Sequence, residues 1–132
     1  MKIHVIGIGD TGAKITQEMC SAGYTINAVD ILKNSFEKLT PELVDTKYIN
    51  TIHGDGNKKE MINVLKIEAT DLIFICTGND SLNGIIAQKI STNHNIPEKN
   101  ITILVKDIYI ENLYRSLRFI VFNKVESISN QI

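Results

Sequence analysis

Six residues near the N-terminus, Gly7-Ile8-Gly9-Asp10-Thr11-Gly12, have the types and spacing of a turn that cradles phosphate. Glycine at the first position permits a tight turn. Glycine at the third leaves the backbone open to a pyrophosphate, and glycine at the sixth lets a following helix pack close to a preceding strand. The unpaired N–H groups and dipole of that helix would face the phosphates. Alone the pattern is a weak signal, because a tight turn with spare glycines is spelled the same way. Asp30 strengthens it. It stands eighteen residues after Gly12, close to the roughly 20-residue spacing at which an acid ending the second strand meets a ribose. A carboxylate accepts hydrogen bonds from both ribose hydroxyls and repels a 2′-phosphate, which favours NAD(H) or a plain adenosine nucleotide over NADP. The plainer alternative, a helix-capping aspartate, competes with Asn34 and Ser35, which already supply caps. Ile31 is grouped with Asp30 at this strand end.

Two further loops join the candidate site. Gly54-Asp55-Gly56 closes the third strand and would set Asp55 near an adenine edge; a simple turn has the same composition. Thr77-Gly78-Asn79 ends the fourth strand. There Gly78 lets the backbone approach a ligand and Thr77 offers a hydroxyl, while Asn79, Asp80 and Ser81 are also ordinary N-cap types. Lys106 follows the fifth strand and would reach a phosphate or simply stand in solvent. No catalytic residue is assigned. A dehydrogenase needs an acid–base group facing its nicotinamide, and no His or Tyr–Lys pair ends a strand at the expected place; Tyr109 and Tyr114 fall on the last helix, where packing is their expected role. His4, His53 and His94 are scattered, so no metal site is expected. Cys20 and Cys76 are far apart in apolar stretches and read as reduced core residues.

These residues need a scaffold, and the hydrophobic pattern supplies one. Short apolar runs predict strands over 2–7, 25–30, 48–53, 71–76, 101–105 and 119–122. Helical spacing predicts helices over 12–22, 34–40, 58–66, 80–93 and 108–117, the second ended by Pro41. Strand and helix alternate five times before a closing strand. The expected fold class is therefore α/β: a Rossmann-type doubly wound parallel six-stranded sheet with helices on both faces and strand order 3-2-1-4-5-6. Ligands bind beyond the carboxyl ends of the strands where that order reverses, at the loops after strands one and four. With 132 residues the chain is read as one domain, 1–132. A formal net charge of −1 gives no basic surplus for nucleic acid or an anionic membrane. No apolar run approaches the roughly 20 residues of a membrane helix, and no signal-peptide pattern opens the chain. A cytoplasmic location is expected.

The whole set of motifs is more specific than any one of them. Gly7–Gly12, Ala28-Val29-Asp30, His53-Gly54-Asp55-Gly56, Ile75 to Asn83, and the stretch from Tyr114 to Phe122 together resemble the potassium-transport nucleotide-binding family, also called the Trk N-domain, KTN or RCK N-terminal domain. The segment from Leu65 to Gly78 is especially similar. The resemblance implies a regulatory subunit or domain that sits at the inner face of the membrane through a potassium transporter subunit. Such a module binds NAD(H), AMP, ADP or ATP and gates transport. By motif correspondence it implies phosphate contacts at Gly7, Gly9 and Gly12, a ribose contact at Asp30, and a cleft lined by Asp55, Thr77 and Gly78. Many family members carry Arg or Gln where this chain has Asp10, so a polyphosphate loses a partner and NAD(H) or AMP ranks above ATP. The family's C-terminal ligand domain has no counterpart among these 132 residues.

Two other readings stand beside it: a small NAD-dependent oxidoreductase fragment, which would lack a substrate domain, and an interaction module that keeps the sheet without a nucleotide. Residues 108–122 carry one further expectation. Ile110, Leu113, Tyr114 and Leu117 fall at helical spacing as one buried stripe, and Tyr109 and Phe119 extend beyond it. This surplus of apolar surface predicts self-association as a homodimer or a higher ring.

Overall fold

The computed structural model describes residues 1–44 and 46–123. Six parallel strands, β1 (Ile3–Ile6), β2 (Ile26–Asp30), β3 (Ile49–His53), β4 (Leu72–Ile75), β5 (Ile101–Val105) and β6 (Ile120–Asn123), form one sheet in the order β3-β2-β1-β4-β5-β6. This is the expected doubly wound arrangement, with β1 and β4 adjacent and in register from Ile3↔Leu72 to Ile6↔Ile75. The connecting helices are α1 (Asp10–Ser21), α2 (Pro41–Val44), α3 (Lys59–Leu65), α4 (Asp80–His94) and α5 (Ile108–Ser116), with 3₁₀ turns at Lys33–Lys38 and Glu98–Asn100.

Successive strand residues point to opposite faces, and the core divides accordingly. Ile3, Val5, Ile26 and Ala28 pack with Ala13 and Cys20 of α1 on one face. Ile6, Val29, Ile73 and Ile75 pack with Ile62 and Leu65 of α3 and Ile86 and Ile90 of α4 on the other. Helix α1 ends where Gly23 takes a positive φ of 95° and its N–H bonds to the Cys20 carbonyl, the left-handed stop that glycine makes without a Cβ clash.

Three details differ from the sequence expectation. Helix α1 starts at Asp10 rather than residue 12, because Gly9 serves as its N-cap. Residues 34–40 do not form an α-helix ended by Pro41. They make the 3₁₀ turn, and Pro41 instead opens α2, where its missing N–H costs nothing and its fixed φ suits a first turn. The stripe assigned to α5 is only half buried. Tyr114 is in the core and Ile110 packs half-buried against it, whereas Leu113 and Leu117 are exposed, because β6 receives only one side of a short helix at the sheet edge.

No sequence signal marks the polar cluster at the amino ends of the strands. His4, fully buried on β1, has Nε2 2.9 Å from Asp71 Oδ2. Its Nδ1 lies 3.2 Å from Asn27 Nδ2, and Asn50 Nδ2 donates to Asn27 Oδ1. Asp71 also accepts the N–H groups of Lys2 and Glu68. Burial disfavours a charged ring and holds the His4 pKa below its ordinary value despite the neighbouring carboxylate. Burial pushes the Asp71 carboxyl upward, but its hydrogen bonds from Glu68, His4 and Lys2 outweigh that and keep its pKa low.

Candidate functional site

At the opposite, carboxyl ends of the strands, the β1–α1 and β4–α4 connections part because the chain winds away from β1 in opposite directions. A cleft of about 280 Å³ opens between them. Gly7 and Gly9 form one wall; Asp30, Ile31, Leu32 and Ser35 form another. Gly54, Asp55 and Gly56 close the β3 side, and Thr77 and Gly78 the β4 side, with Cys76 and the α4 side chains Leu82 and Ile86 behind them. Nine of the sequence candidates thus converge here: Gly7, Gly9, Asp30, Ile31, Gly54, Asp55, Gly56, Thr77 and Gly78. Ile8, Asp10, Thr11, Gly12 and Asn79 do not line it.

The glycine turn owes its shape to backbone contacts. Gly7 has φ +97°, and a Cβ on it would lie 2.6 Å from the backbone of Cys76 and Thr77. A Cβ on Gly12 would sit 1.9 Å from the Gly7 carbonyl oxygen, so this glycine serves the packing of α1 against the turn. Gly9 has open space around its missing Cβ, on the cleft side. Among the described residues no side chain caps the first turn of α1, which Asp10 and Thr11 open, whereas Asn79 caps α4 and Asp107 caps α5. Ile8 buries its side chain in the core; its contribution is the N–H that donates to Asp30 Oδ2 at 2.7 Å. Asp30 Oδ1 accepts from Leu32 N at 2.8 Å. The carboxylate therefore ties the glycine turn to the end of β2 and still has two of its about four lone-pair positions to offer. Asp10 points to solvent and pairs with Lys38 at 3.4 Å, so the acid in the motif is turned away from the cleft.

On the β4 side the organiser is Asn83, a buried residue of α4. Its Oδ1 accepts from the Thr77 N–H and hydroxyl, and its Nδ2 donates to the carbonyls of Thr77 and Leu104. Thr77 Oγ1 also accepts from the Asn79 N–H at 3.3 Å, so the hydroxyl is bonded within the β4–α4 connection. Asp80 accepts from the Lys106 and Asp107 N–H groups, joining the start of α4 to the start of α5. Lys106 Nζ stands 3.5 Å from the Gly78 carbonyl and outside the cleft. Burial pushes the Cys76 thiol up to about 12, which leaves it protonated and inert. Asn83 is legible in the sequence only as the end of the stretch from Ile75 to Asn83; a lone amide on an amphipathic helix carries no periodic signal. Among the described residues, no three His, Cys, Asp or Glu side chains gather to hold a metal, and no helix is long and apolar enough to cross a membrane.

The family model of the TrkA-N domain matches residues 3–124. The chain belongs to the TrkA-N domain family. A Trk system potassium uptake protein TrkA of Mycobacterium tuberculosis is 24% identical over 100 residues, covering 74% of this chain. The match spans 42% of that protein, so this TrkA-N chain corresponds to less than half of its relative. The NAD(P)-binding domain of an exopolyphosphatase-related protein from Archaeoglobus fulgidus superposes with a TM-score of 0.75 at 15% identity, covering 98% of this chain and 92% of the other. A Shewanella denitrificans Kef C-terminal domain in AMP-bound form gives a TM-score of 0.72 at 15% identity, covering 99% and 77%. At such identities the two structures share a fold with this TrkA-N domain.

Proposed function

We propose that this TrkA-N domain is a cytoplasmic regulatory module of a potassium uptake system that binds an adenosine nucleotide in the cleft and passes its occupancy to a membrane transporter subunit. The observation that carries the reading is the pairing, across one cleft, of a helix N-terminus that none of the described side chains caps with the Asp30 carboxylate. The first supplies N–H donors for phosphate and the second acceptors for ribose hydroxyls. Gly7 and Gly9 admit the phosphates, Asp55 and Gly56 border the base, and Thr77-Gly78 closes the far side. The similar Kef domain was solved with AMP and the similar Archaeoglobus domain is described as NAD(P)-binding, which supports a ligand built on adenosine. NAD(H) is the first choice and AMP, ADP or ATP the others. The outward turn of Asp10 removes its repulsion of phosphate without adding the cation a triphosphate would use. The module binds without turnover, since no side chain in the cleft is arranged as an acid–base pair.

Calorimetry against NAD⁺, NADH, AMP, ADP, ATP and NADP tests this directly. A ligand at one hundred times its Kd should stabilise the fold by about 2.7 kcal/mol. Asp30→Ala should remain folded and lose about 1.5–3 kcal/mol of binding, the worth of a charge-assisted hydrogen bond. Wild-type affinity in that variant would remove Asp30 from the site, and no binding by any nucleotide would favour the interaction-module reading.

We further propose that the module works as a homodimer or ring. On α5, Ile108, Tyr109 and Leu113 are exposed, Tyr109 by 82%. On the edge strand β6, Ile120 and Phe122 are exposed as well, forming an apolar patch where an open sheet edge also needs cover. Light scattering on size-exclusion fractions should give at least a dimer mass, and Tyr109→Glu with Leu113→Glu should return it to monomer. A monomer at every concentration in the wild-type protein would refute the assembly.

A further inference from the structure

A second, smaller cavity of about 110 Å³ lies between α3 and α4, lined by Asn57, Lys59, Ile62, Lys89, Asn93 and His94. Its chemistry is one-sided. Two lysines, two asparagines and a histidine line it beside an isoleucine, and among the described residues no carboxylate does. Among the described residues neither lysine stands in an ion pair.

Lys89 is also fixed in place. Its Nζ donates to the Asn57 carbonyl at 3.1 Å and to Asn57 Oδ1 at 2.7 Å. An ammonium has three donors, so one remains after Asn57 takes two. A lysine already held by the protein gives up less side-chain freedom when it binds something else. A single water needs only about 10–15 Å³ by this kind of measure, so the space accepts a tetrahedral oxyanion together with water.

We infer that this cavity is a second ligand site, for a phosphate-sized oxyanion held by Lys59, the remaining donor of Lys89, and the amide groups of Asn57 and Asn93. Lysine binds such groups as a point charge, and two of them entering from different elements make a clamp between α3 and α4. The site does not depend on the nucleotide reading, because none of its six lining residues lines the larger cleft. It is nevertheless next to that cleft: the N–H of Asn57 donates to Asp55 Oδ1 at 2.9 Å, and Asp55 lines the cleft.

The test is a ¹H–¹⁵N NMR titration of the full chain with inorganic phosphate at constant ionic strength, chloride being the reference salt. The amides of Asn57, Lys59, Lys89, Asn93 and His94 should shift together along one saturating curve. Lys59→Gln and Lys89→Gln, both on the surface and each verified as folded by its own spectrum, should each weaken that curve by about tenfold. A parallel titration with glycerol 3-phosphate separates the two sources of the anion. Equal saturation identifies a phosphate group on a larger molecule, and saturation by phosphate alone identifies the free ion. Shifts confined to the Gly7–Gly12 turn, a linear response matching chloride, or curves unchanged by both substitutions would overturn the site.

Discussion

Gly12→Ala is expected to cost the domain about 3 kcal/mol or more, whereas Gly9→Ala, three residues away, is expected to leave stability unchanged and weaken nucleotide binding. The two glycines belong to one motif but face different neighbours. A methyl on Gly12 would meet the Gly7 carbonyl oxygen at 1.9 Å. That oxygen is backbone, in a turn whose Gly7 N–H is already bonded to the Val29 carbonyl at 2.8 Å, so neither side can yield without moving α1 off the sheet. A methyl on Gly9 meets nothing within 4 Å in the protein; it would occupy the space through which a phosphate reaches the start of α1. Urea denaturation should therefore separate Gly12→Ala from the wild type and not Gly9→Ala. Calorimetry with NAD⁺ or AMP should show Gly9→Ala weaker by about 1.5–3 kcal/mol, the value of a charged hydrogen bond. Full affinity in a folded Gly9→Ala would place the phosphates elsewhere.

Asp71→Ala should be as damaging as Gly12→Ala while leaving the cleft intact. It removes the acceptor of His4 Nε2 and of the Lys2 and Glu68 N–H groups, and each buried donor left unsatisfied costs about 1–3 kcal/mol. The same cluster makes the fold sensitive to acid. With His4 neutral and its proton on Nε2, the ring donates to Asp71 and accepts from Asn27, so every contact is satisfied. A second proton would set Nδ1–H against the Asn27 amide donor, and turning that amide over would forfeit its bond from Asn50. Burial, which disfavours the charged ring, holds the folded His4 pKa below the ordinary 6.5. The unfolded chain takes up this proton first as pH falls, so the stabilisation is complete above the unfolded pKa and is lost as pH drops through the interval down to the folded one. Asp71, whose pKa is also lowered, adds a second loss below the ordinary carboxyl range. Urea midpoints measured from about pH 8 down to about pH 5 should decline in the wild type and decline less in His4→Gln. Equal slopes would exclude His4 as the source.

The strand–helix alternation was readable because periodicity reports burial, and burial is what a doubly wound sheet imposes. Both faces of β1 are covered, and Ile3 to Ile6 are all buried. The convergence of Gly9, Asp30, Asp55 and Gly78 was readable because the fold brings strand ends together wherever its order reverses. Less legible were features decided by one side chain against another. His4 and Asp71 are 67 positions apart, and only the register of β1 with β4 makes them neighbours. Asn83 looks like any polar residue on an amphipathic helix until its amide is seen closing both Thr77 and Leu104. Pro41 is ambiguous in a sequence because proline both stops and starts helices, and its role turns on whether the residues on its C-terminal side continue as a helix. The exposure of Leu113 and Leu117 depends on how far a nine-residue helix can wrap an edge strand, which spacing alone does not encode.

The sheet order has a consequence for how the chain is made. Strand β1 is synthesised before its neighbours β2 and β4, and the second of them, Leu72–Ile75, lies far along the chain. At about 5–20 residues per second, the nascent polypeptide holds an apolar strand with one bare edge for several seconds. Pairing between such distant segments is also slow to nucleate, since a long loop must close before any contact repays it. A half-sheet β3-β2-β1 formed before β4 would expose an unprotected template edge of the kind that recruits other strands. Protein yield in the cell should accordingly depend on chaperone supply during translation of the first half, more than on the stability of the finished domain.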